Sequence, residues 1–202
     1  MRMHWRLSGL LLLVAALFTI AALLLISPAA AAPADAPAAL PAGSAALGPA
    51  AARPDWHALP LMDARTGQTF TLADLDGKTV YVEPMATWCT NCRGQMGLIR
   101  DQVLAQLDPE RTVLVGLSVE TDLPPEKLAA YVDAQGFSWT FAVMTPDLLQ
   151  ALSTQFGLTV ANPPAIPHFV IGPDGTTSDL RTGFHTADKL LAELTAAGSM
   201  SQ

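Results

Sequence analysis

The sequence predicts an α/β fold in which a central mixed sheet is flanked by helices. The stretch Thr112–Val119 is a continuous run of mostly Val and Leu, as expected of a buried parallel strand. Segments with apolar residues at helical spacing alternate with such strands; one runs from Pro124 to Gln135 and stops before Gly136. A closing hairpin and helix follow, so we expect helices on both faces of the sheet.

The individual elements follow from the same patterns. Strands are predicted at 79–85, 112–119, 141–144 and 168–171, with one further strand leading to Phe184. Helices are predicted between Cys92 and Pro109, at 124–135, at 147–156, and from Thr186 onward, where Thr186 is the expected cap.

The first 26 residues predict a transmembrane segment. Arg2 and Arg6 precede Gly9–Ile26, which carries no charge and would span ~27 Å as a helix. The small residues at 30–32 leave a cleaved signal as the alternative. The positive-inside rule then places the rest of the chain outside the cytoplasmic membrane, facing the periplasm or the cell exterior. Residues 27–54, rich in Ala and Pro, predict a linker, and residues 55–202 predict the folded domain.

The overall charge of the chain argues against nucleic acids as partners. With a net charge of −7 and a pI of about 4.8, the chain has no basic stripe for phosphate backbones, so we expect no nucleic-acid binding. Its two cysteines are too few for a Cys₄ zinc site or a disulfide-stapled fold. A redox pair, part of a mixed-ligand metal site, or a structural disulfide remain.

Cys89 and Cys92 form a Cys-x-x-Cys pair where a predicted strand meets a predicted helix. Unpaired N–H groups and the helix dipole stabilise a thiolate at that position. We therefore expect Cys89 to be an exposed nucleophile and Cys92 a sheltered resolving thiol. A structural disulfide is the alternative, although so short a loop constrains little chain entropy.

The segment 81–92 resembles the strand and active-site loop of thioredoxins, and more closely the membrane-anchored TlpA/ResA/CcmG branch. Residues 124–144 match the extra strand–helix insert of that branch, and 165–171 match its cis-proline loop, followed by the turn at 173–175. The upstream motif of the branch is matched by Asp63, Gly67, Leu72, Leu75, Gly77 and Lys78.

The resemblance implies roles for further residues. Pro167 corresponds to the cis-proline that faces the cysteines, and Trp88, Ile166 and Pro167 are the implied substrate-binding residues, with the Ile166 backbone free to pair with an extended substrate. Glu83 corresponds to a buried acid that shuttles the proton of Cys92. A solvated glutamate on an edge strand is the alternative for Glu83.

The chain departs from the family at three places. Pro84 and Met85 replace two aromatic residues, which predicts a local irregularity in the sheet. Thr90-Asn91 replaces a proline-containing dipeptide between the cysteines. Gln95 stands where reductases of the branch often have a glutamate. This difference puts in doubt that the chain reduces the same partner as the cytochrome c biogenesis members.

Together these features predict a single-pass membrane protein whose outer domain reduces selected protein disulfides. Its expected partners are protein thiols and disulfides and a membrane electron donor, and no cofactor is expected. One alternative is a copper chaperone for respiratory oxidase assembly that binds the metal through Cys89, Cys92 and His168. A peroxidase is disfavoured because Ala86 replaces the threonine of the Thr-x-x-Cys context.

Overall fold

The computed structural model describes residues 53–199 of the chain. The predicted transmembrane segment, 1–26, and nearly all of the predicted linker, 27–54, lie outside the described residues. Within 53–199, no helix combines the length and the apolar character needed to cross a membrane. The first described element is a 3₁₀ turn at Asp55–Ala58.

Within residues 53–199, six strands form one small sheet and one large mixed sheet. In chain order they are β1 (Leu61–Met62), β2 (Thr69–Phe70), β3 (Thr79–Met85), β4 (Thr112–Ser118), β5 (Thr140–Val143) and β6 (Phe169–Ile171). β1 and β2 pair antiparallel, and the large sheet has the order β5-β4-β3-β6. β3, β4 and β5 are parallel and β6 is antiparallel to β3, so the predicted mixed sheet is confirmed.

Residues 53–199 also contain four α-helices, of which the first three connect strands and the fourth follows β6. They are α1 (Thr90–Leu98), α2 (Pro125–Gln135), α3 (Pro146–Phe156) and α4 (Ala187–Ser199). α1 continues through a π-helical segment, Ile99–Val103, and a 3₁₀ turn, Leu104–Gln106, before the chain reaches β4. Gly136 ends α2 in the left-handed conformation, with a φ of 68°, which a glycine adopts without strain.

Helices cover both faces of the large sheet, as predicted. Val80 and Val82 pack with Leu148 and Leu152 of α3 on one face. Tyr81 packs with Leu190 of α4 on the other face. Met85 packs on that second face against α1 and α2, through Met96, Leu128 and Val132.

The irregularity expected at Pro84 and Met85 is absent. Both residues keep the parallel register with β4, opposite Leu117 and Ser118. Proline lacks an N–H, but pairing with β6 ends at Val82, so Pro84 lies beyond that ladder.

The predicted last strand, leading to Phe184, is wrong. The segment after β6 pairs with it only through isolated bridges, Ile171 to Thr177 and His168 to Arg181. Between these bridges the Val170 N–H donates to the Ser178 hydroxyl, at 3.0 Å. A side chain therefore takes a hydrogen bond that a regular ladder would give to the backbone.

Candidate active site

The two cysteines lie at the start of α1, just after β3: Cys89 is in the connection and Cys92 is in the first turn of the helix. Cys89 is the N-cap of α1, and its sulfur accepts a hydrogen bond from the Cys92 N–H at 3.1 Å. The two residues form a disulfide, with their Cα atoms 5.4 Å apart. In the reduced protein the same N–H and the helix dipole would stabilise a thiolate at Cys89.

Both sulfurs are covered in the disulfide form. Cys89 is 2% exposed and Cys92 is fully buried, so the prediction of an exposed Cys89 is wrong for this state. The cysteines belong to a packed apolar cluster that also contains Leu128, Phe137 and Phe141. Trp88, directly before Cys89, is 60% exposed and marks the accessible side of the site.

A proline-rich loop faces the cysteine pair. The carbonyl oxygen of Pro163 lies 3.2 Å from the Cys92 sulfur, and the Asn91 side-chain amide donates to the Pro164 carbonyl at 3.0 Å. Because a disulfide sulfur has no proton, the first contact becomes a hydrogen bond only when Cys92 is a thiol. The Pro163 carbonyl would then stabilise the protonated form of Cys92.

The same loop contains the residues predicted to bind substrate, Ile166 and Pro167, and both are buried. Ile166 has a φ of 52°, a strained conformation for a β-branched residue. Its N–H donates to the Pro163 carbonyl at 2.8 Å, so this donor is not free to pair with a substrate as predicted. The role of Pro167 as a cis-proline facing the cysteines stays a prediction.

Glu83 is a buried acid and not a solvated residue of an edge strand. It is 2% exposed, on the central strand β3, and shares a strand face with Tyr81 and Met85. The Tyr81 hydroxyl donates to one carboxyl oxygen at 3.0 Å, while the other oxygen has no partner among residues 53–199. Burial raises the pKa of Glu83 to about 8, and the hydrogen bond from Tyr81 opposes part of this rise.

Glu120, which the sequence reasoning missed, holds the turn before Cys89. Its carboxylate accepts the Thr87 N–H at 2.6 Å and the Thr87 hydroxyl at 3.1 Å, and the Ser118 hydroxyl lies 3.3 Å away. Its position just after a buried parallel strand is the sequence feature that could have identified it, since the carboxyl ends of adjacent parallel strands meet at one edge of a sheet.

His168 is held by a different set of partners from the one predicted. Among residues 53–199, the possible metal ligands grouped with it are His185 and Glu193, and neither cysteine belongs to the group. Its Nε2 lies 3.3 Å from a Glu193 oxygen, and the Nδ1 of His185 lies 3.3 Å from the other. The structure thus gives no support to a copper site that combines His168 with the cysteine pair.

The cluster of His168, His185 and Glu193 already contains its own cations. Arg181 lies 2.6 Å from a Glu193 oxygen, and the Lys189 ammonium lies 2.9 Å from Nε2 of His185. Burial lowers the pKa values of both histidines, which favours their neutral forms. The two side-chain cations neutralise the carboxylate and occupy a ring nitrogen, so the cluster is better described as a buried ion-pair network than as a metal centre.

Solved structures with this fold include proteins of thiol–disulfide chemistry. A thiol:disulfide interchange protein of the thioredoxin family from Chlorobium tepidum TLS is 22% identical, with a TM-score of 0.56 over 69% of this chain and 92% of that chain. A thiol-disulfide isomerase from Corynebacterium glutamicum is 20% identical, with a TM-score of 0.52 over 68% of this chain and 94% of that chain. These similarities establish the thioredoxin-like fold.

The same fold also occurs in BsSco, a member of the Sco family of cytochrome c oxidase assembly proteins. It is 15% identical, with a TM-score of 0.56 over 70% of this chain and 92% of that chain. No curated protein sequence matches the chain.

The sequence pattern of the AhpC/TSA family matches residues 51–179, which is more than half of the chain. This range contains the whole main sheet, both cysteines, Glu83 and the proline-rich loop. The Cys-x-x-Cys pair at the start of α1 supplies the group needed for thiol–disulfide exchange. The chain belongs to the AhpC/TSA family and has the thioredoxin-like fold.

Proposed function

We propose that this protein reduces selected protein disulfides outside the cytoplasmic membrane. The observation that carries the proposal is the pairing of a disulfide at the N-terminus of α1 with a buried acid on the adjacent strand β3. The helix end favours the thiolate of Cys89, and the acid has a pKa of about 8, in the range useful for moving a thiol proton.

The exchange proceeds in two steps from the reduced protein. The Cys89 thiolate attacks one sulfur of a substrate disulfide, forms a mixed disulfide, and releases the other substrate sulfur, which takes up a proton. Cys92 then loses its proton to Glu83 and attacks the Cys89 sulfur. This step releases the second substrate thiol and forms the Cys89–Cys92 disulfide seen in the structure. The protein has then given up two electrons and the Cys92 proton, which passes from Glu83 to the second substrate sulfur; the first substrate sulfur takes its proton from the solvent.

A dithiol of a membrane protein is the proposed source of electrons for the next turnover. The proposal includes membership of the membrane-anchored TlpA/ResA/CcmG branch, supported by the motifs upstream of and after the cysteines. The uncharged run Gly9–Ile26 behind Arg2 and Arg6 supports an anchor, with the domain in the periplasm or at the cell exterior. Membrane fractionation and N-terminal sequencing test this part; a soluble product that begins near Pro33 would contradict an anchor.

The reduction potential of the Cys89–Cys92 couple tests the direction of electron flow. We expect a value nearer ~−270 mV, typical of a reductant, than ~−120 mV, typical of a strong oxidant. Equilibration of the full-length protein with glutathione buffers, followed by thiol alkylation, measures the potential. A value at the oxidising end would show that the protein forms disulfides in its substrates.

A further inference from the structure

Phe184 is an exposed aromatic residue beside the cysteine-bearing helix. It is 57% exposed, and its ring faces α1 so closely that a Cβ added at Gly94 would lie 3.9 Å from it. Solvent-exposed rings near a reactive group are common contact points for a partner.

A groove of about 570 Å³ separates Phe184 from the proline-rich loop. Thr90, Asn91 and Gly94 of α1 form its floor, and residues 164–166 and 182–184 form its two walls. Thr90 and Asn91 stand between the two cysteines, so the groove begins at the redox pair. None of the lining side chains carries a charge. A charged side chain placed there would lose water without gaining a counter-charge.

The base of Phe184 is fixed by Gln95, the third residue after Cys92. The Gln95 side chain is 1% exposed, and its amide nitrogen donates to the His185 carbonyl at 3.1 Å. Its amide oxygen accepts the His185 N–H at 2.8 Å. The carboxamide therefore holds both backbone groups of the residue next to Phe184.

The His185 ring is fixed as well. Glu193 lies 3.3 Å from one ring nitrogen and Lys189 lies 2.9 Å from the other. The exposed Phe184 ring thus extends from a backbone whose next residue, His185, is held at both its N–H and its carbonyl. An anchor that is already ordered loses less conformational entropy when a partner binds.

We propose that Phe184 selects substrates with a large apolar side chain next to the reactive cysteine, in an extended and uncharged segment, and that Gln95 is the positioning residue for Phe184. This inference rests on the proposed thiol–disulfide exchange. Phe184 covers the apolar side chain of the substrate, and the groove between its two walls receives the neighbouring backbone. The amide of Gln95 is required because a donor and an acceptor are both needed at His185.

The test uses three synthetic peptide disulfides that differ only in the residue beside cysteine: Gly, Leu or Asp. Single-turnover exchange with the reduced full-length protein gives kcat/KM for each. We expect the Leu peptide to exceed the Gly peptide by about tenfold, through KM, and the Asp peptide to be the poorest. Phe184→Ala should bring the Leu-to-Gly ratio close to one. Leu158→Ala is the matched control, since Leu158 is 81% exposed and does not line the groove.

Gln95→Glu tests the positioning role. An ionised carboxylate still accepts the His185 N–H but has no proton for the His185 carbonyl, so the Leu-to-Gly ratio should fall near neutral pH. At lower pH the protonated carboxyl regains the donor, and the ratio should recover in this variant. The ratio cancels the common effect of pH on the thiolate. Wild type and Gln102→Glu, an exposed glutamine changed in the same way, control for titration of His185 and Glu193 and for the charge of the neighbouring Lys189.

The outcomes separate the two proposals. Failure of the wild type to exchange with any peptide would overturn the proposed function itself. Exchange without a Leu preference, or a preference that survives Phe184→Ala, would overturn only the role of Phe184. A Gln95→Glu ratio equal to that of the wild type at every pH would overturn the role of Gln95.

Discussion

The Tyr81 hydroxyl donates a 3.0 Å hydrogen bond to one carboxyl oxygen of Glu83, and the other oxygen has no partner in the part of the chain that the structure describes. One hydrogen bond stabilises the carboxylate less than burial destabilises it, which is why the pKa of Glu83 rises to about 8. Burial, followed by the nearby Glu83, also raises the pKa of Tyr81 well above its usual range, so Tyr81 keeps its proton and remains a donor. At neutral pH Glu83 is thus mostly protonated, and the ionised fraction is the form that would accept the Cys92 proton.

Replacing Glu83 should slow the second step of exchange and spare the first. Glu83→Gln keeps the shape of the side chain and removes the group that accepts the Cys92 proton. We expect the mixed disulfide to persist roughly ten- to a hundredfold longer at pH 7, within the usual range for a lost general base. The defect should shrink as pH approaches the pKa of the thiol itself. Quenched-flow kinetics of both steps over a pH series measure this.

The matched control is Glu126→Gln, an exposed glutamate near the start of α2. It should behave as the wild type in both steps. Identical pH profiles of the resolving step for Glu83→Gln and wild type would remove Glu83 from the mechanism.

Glu83 should also make the oxidised protein less stable as pH rises. Its pKa is about 8 in the folded state against 4.5 for a free glutamate side chain, so between these values the folded state binds more protons than the unfolded state. Stability is highest below pH 4.5 with respect to this group and is lost as pH rises towards 8, with a slope approaching ~1.4 kcal/mol per pH unit. Urea unfolding of wild type and Glu83→Gln at pH 5 and pH 8 measures the difference.

The test compares the free energies of unfolding of wild type and Glu83→Gln, because His57 changes the stability of both proteins with pH in the direction opposite to Glu83. Burial lowers the pKa of His57 to about 4, so its contribution to stability rises with pH between 4 and 6.5. His57 is present in both proteins and cancels. A stability difference that does not grow in favour of Glu83→Gln with rising pH would contradict a raised pKa in the folded state.

The two cysteines should have separate roles. Cys92→Ser should accumulate a mixed disulfide through Cys89, because Cys89 caps α1 and receives the Cys92 N–H. Cys89→Ser should abolish turnover. Mass spectrometry of the trapped peptide identifies the sulfur involved, and trapping through Cys92 in the Cys89→Ser variant at a comparable rate would reverse the assignment.

Removing the Glu120 side chain should loosen the turn that carries Cys89. Glu120→Ala leaves the Thr87 N–H and hydroxyl without their acceptor, which should lower the free energy of unfolding by roughly 1–3 kcal/mol. Chemical denaturation measures the change. Glu110→Ala, at an exposed position after α1, should alter stability by less than ~0.5 kcal/mol. Equal effects of the two substitutions would show that the contacts of Glu120 are not stabilising.

Strands β3 and β4 could be predicted from the sequence because their residues are mostly apolar, and α2 because Pro124 and Gly136 mark its ends. The pairing after β6 could not, since it depends on whether the Ser178 hydroxyl or a backbone oxygen takes the Val170 N–H. Such local competition leaves no trace in hydrophobic periodicity.

The site was predictable to the extent that it is local in sequence. Cys89 and Cys92 could be placed between a strand and a helix because the apolar run 79–85 precedes them and apolar residues at helical spacing follow them. The burial of the cysteines did not follow, because the apolar cluster that they join includes Phe137 and Phe141 from a distant part of the chain. Glu120 acts at this site only because β4 lies beside β3 in a register that pairs Ser118 with Met85.

The cover over both sulfurs has a consequence for how the redox state of the protein is set. A small thiol such as glutathione must reach a sulfur to reduce the disulfide, and exchange rates depend on that access. Reduction by glutathione should therefore be much slower in the native protein than in urea, where the cover is gone. A partner protein that docks beside Trp88 and displaces the cover would react faster than the surrounding pool of small thiols. The redox state of the Cys89–Cys92 couple would then be set by the partner proteins that dock on it, and not by the average potential of its compartment.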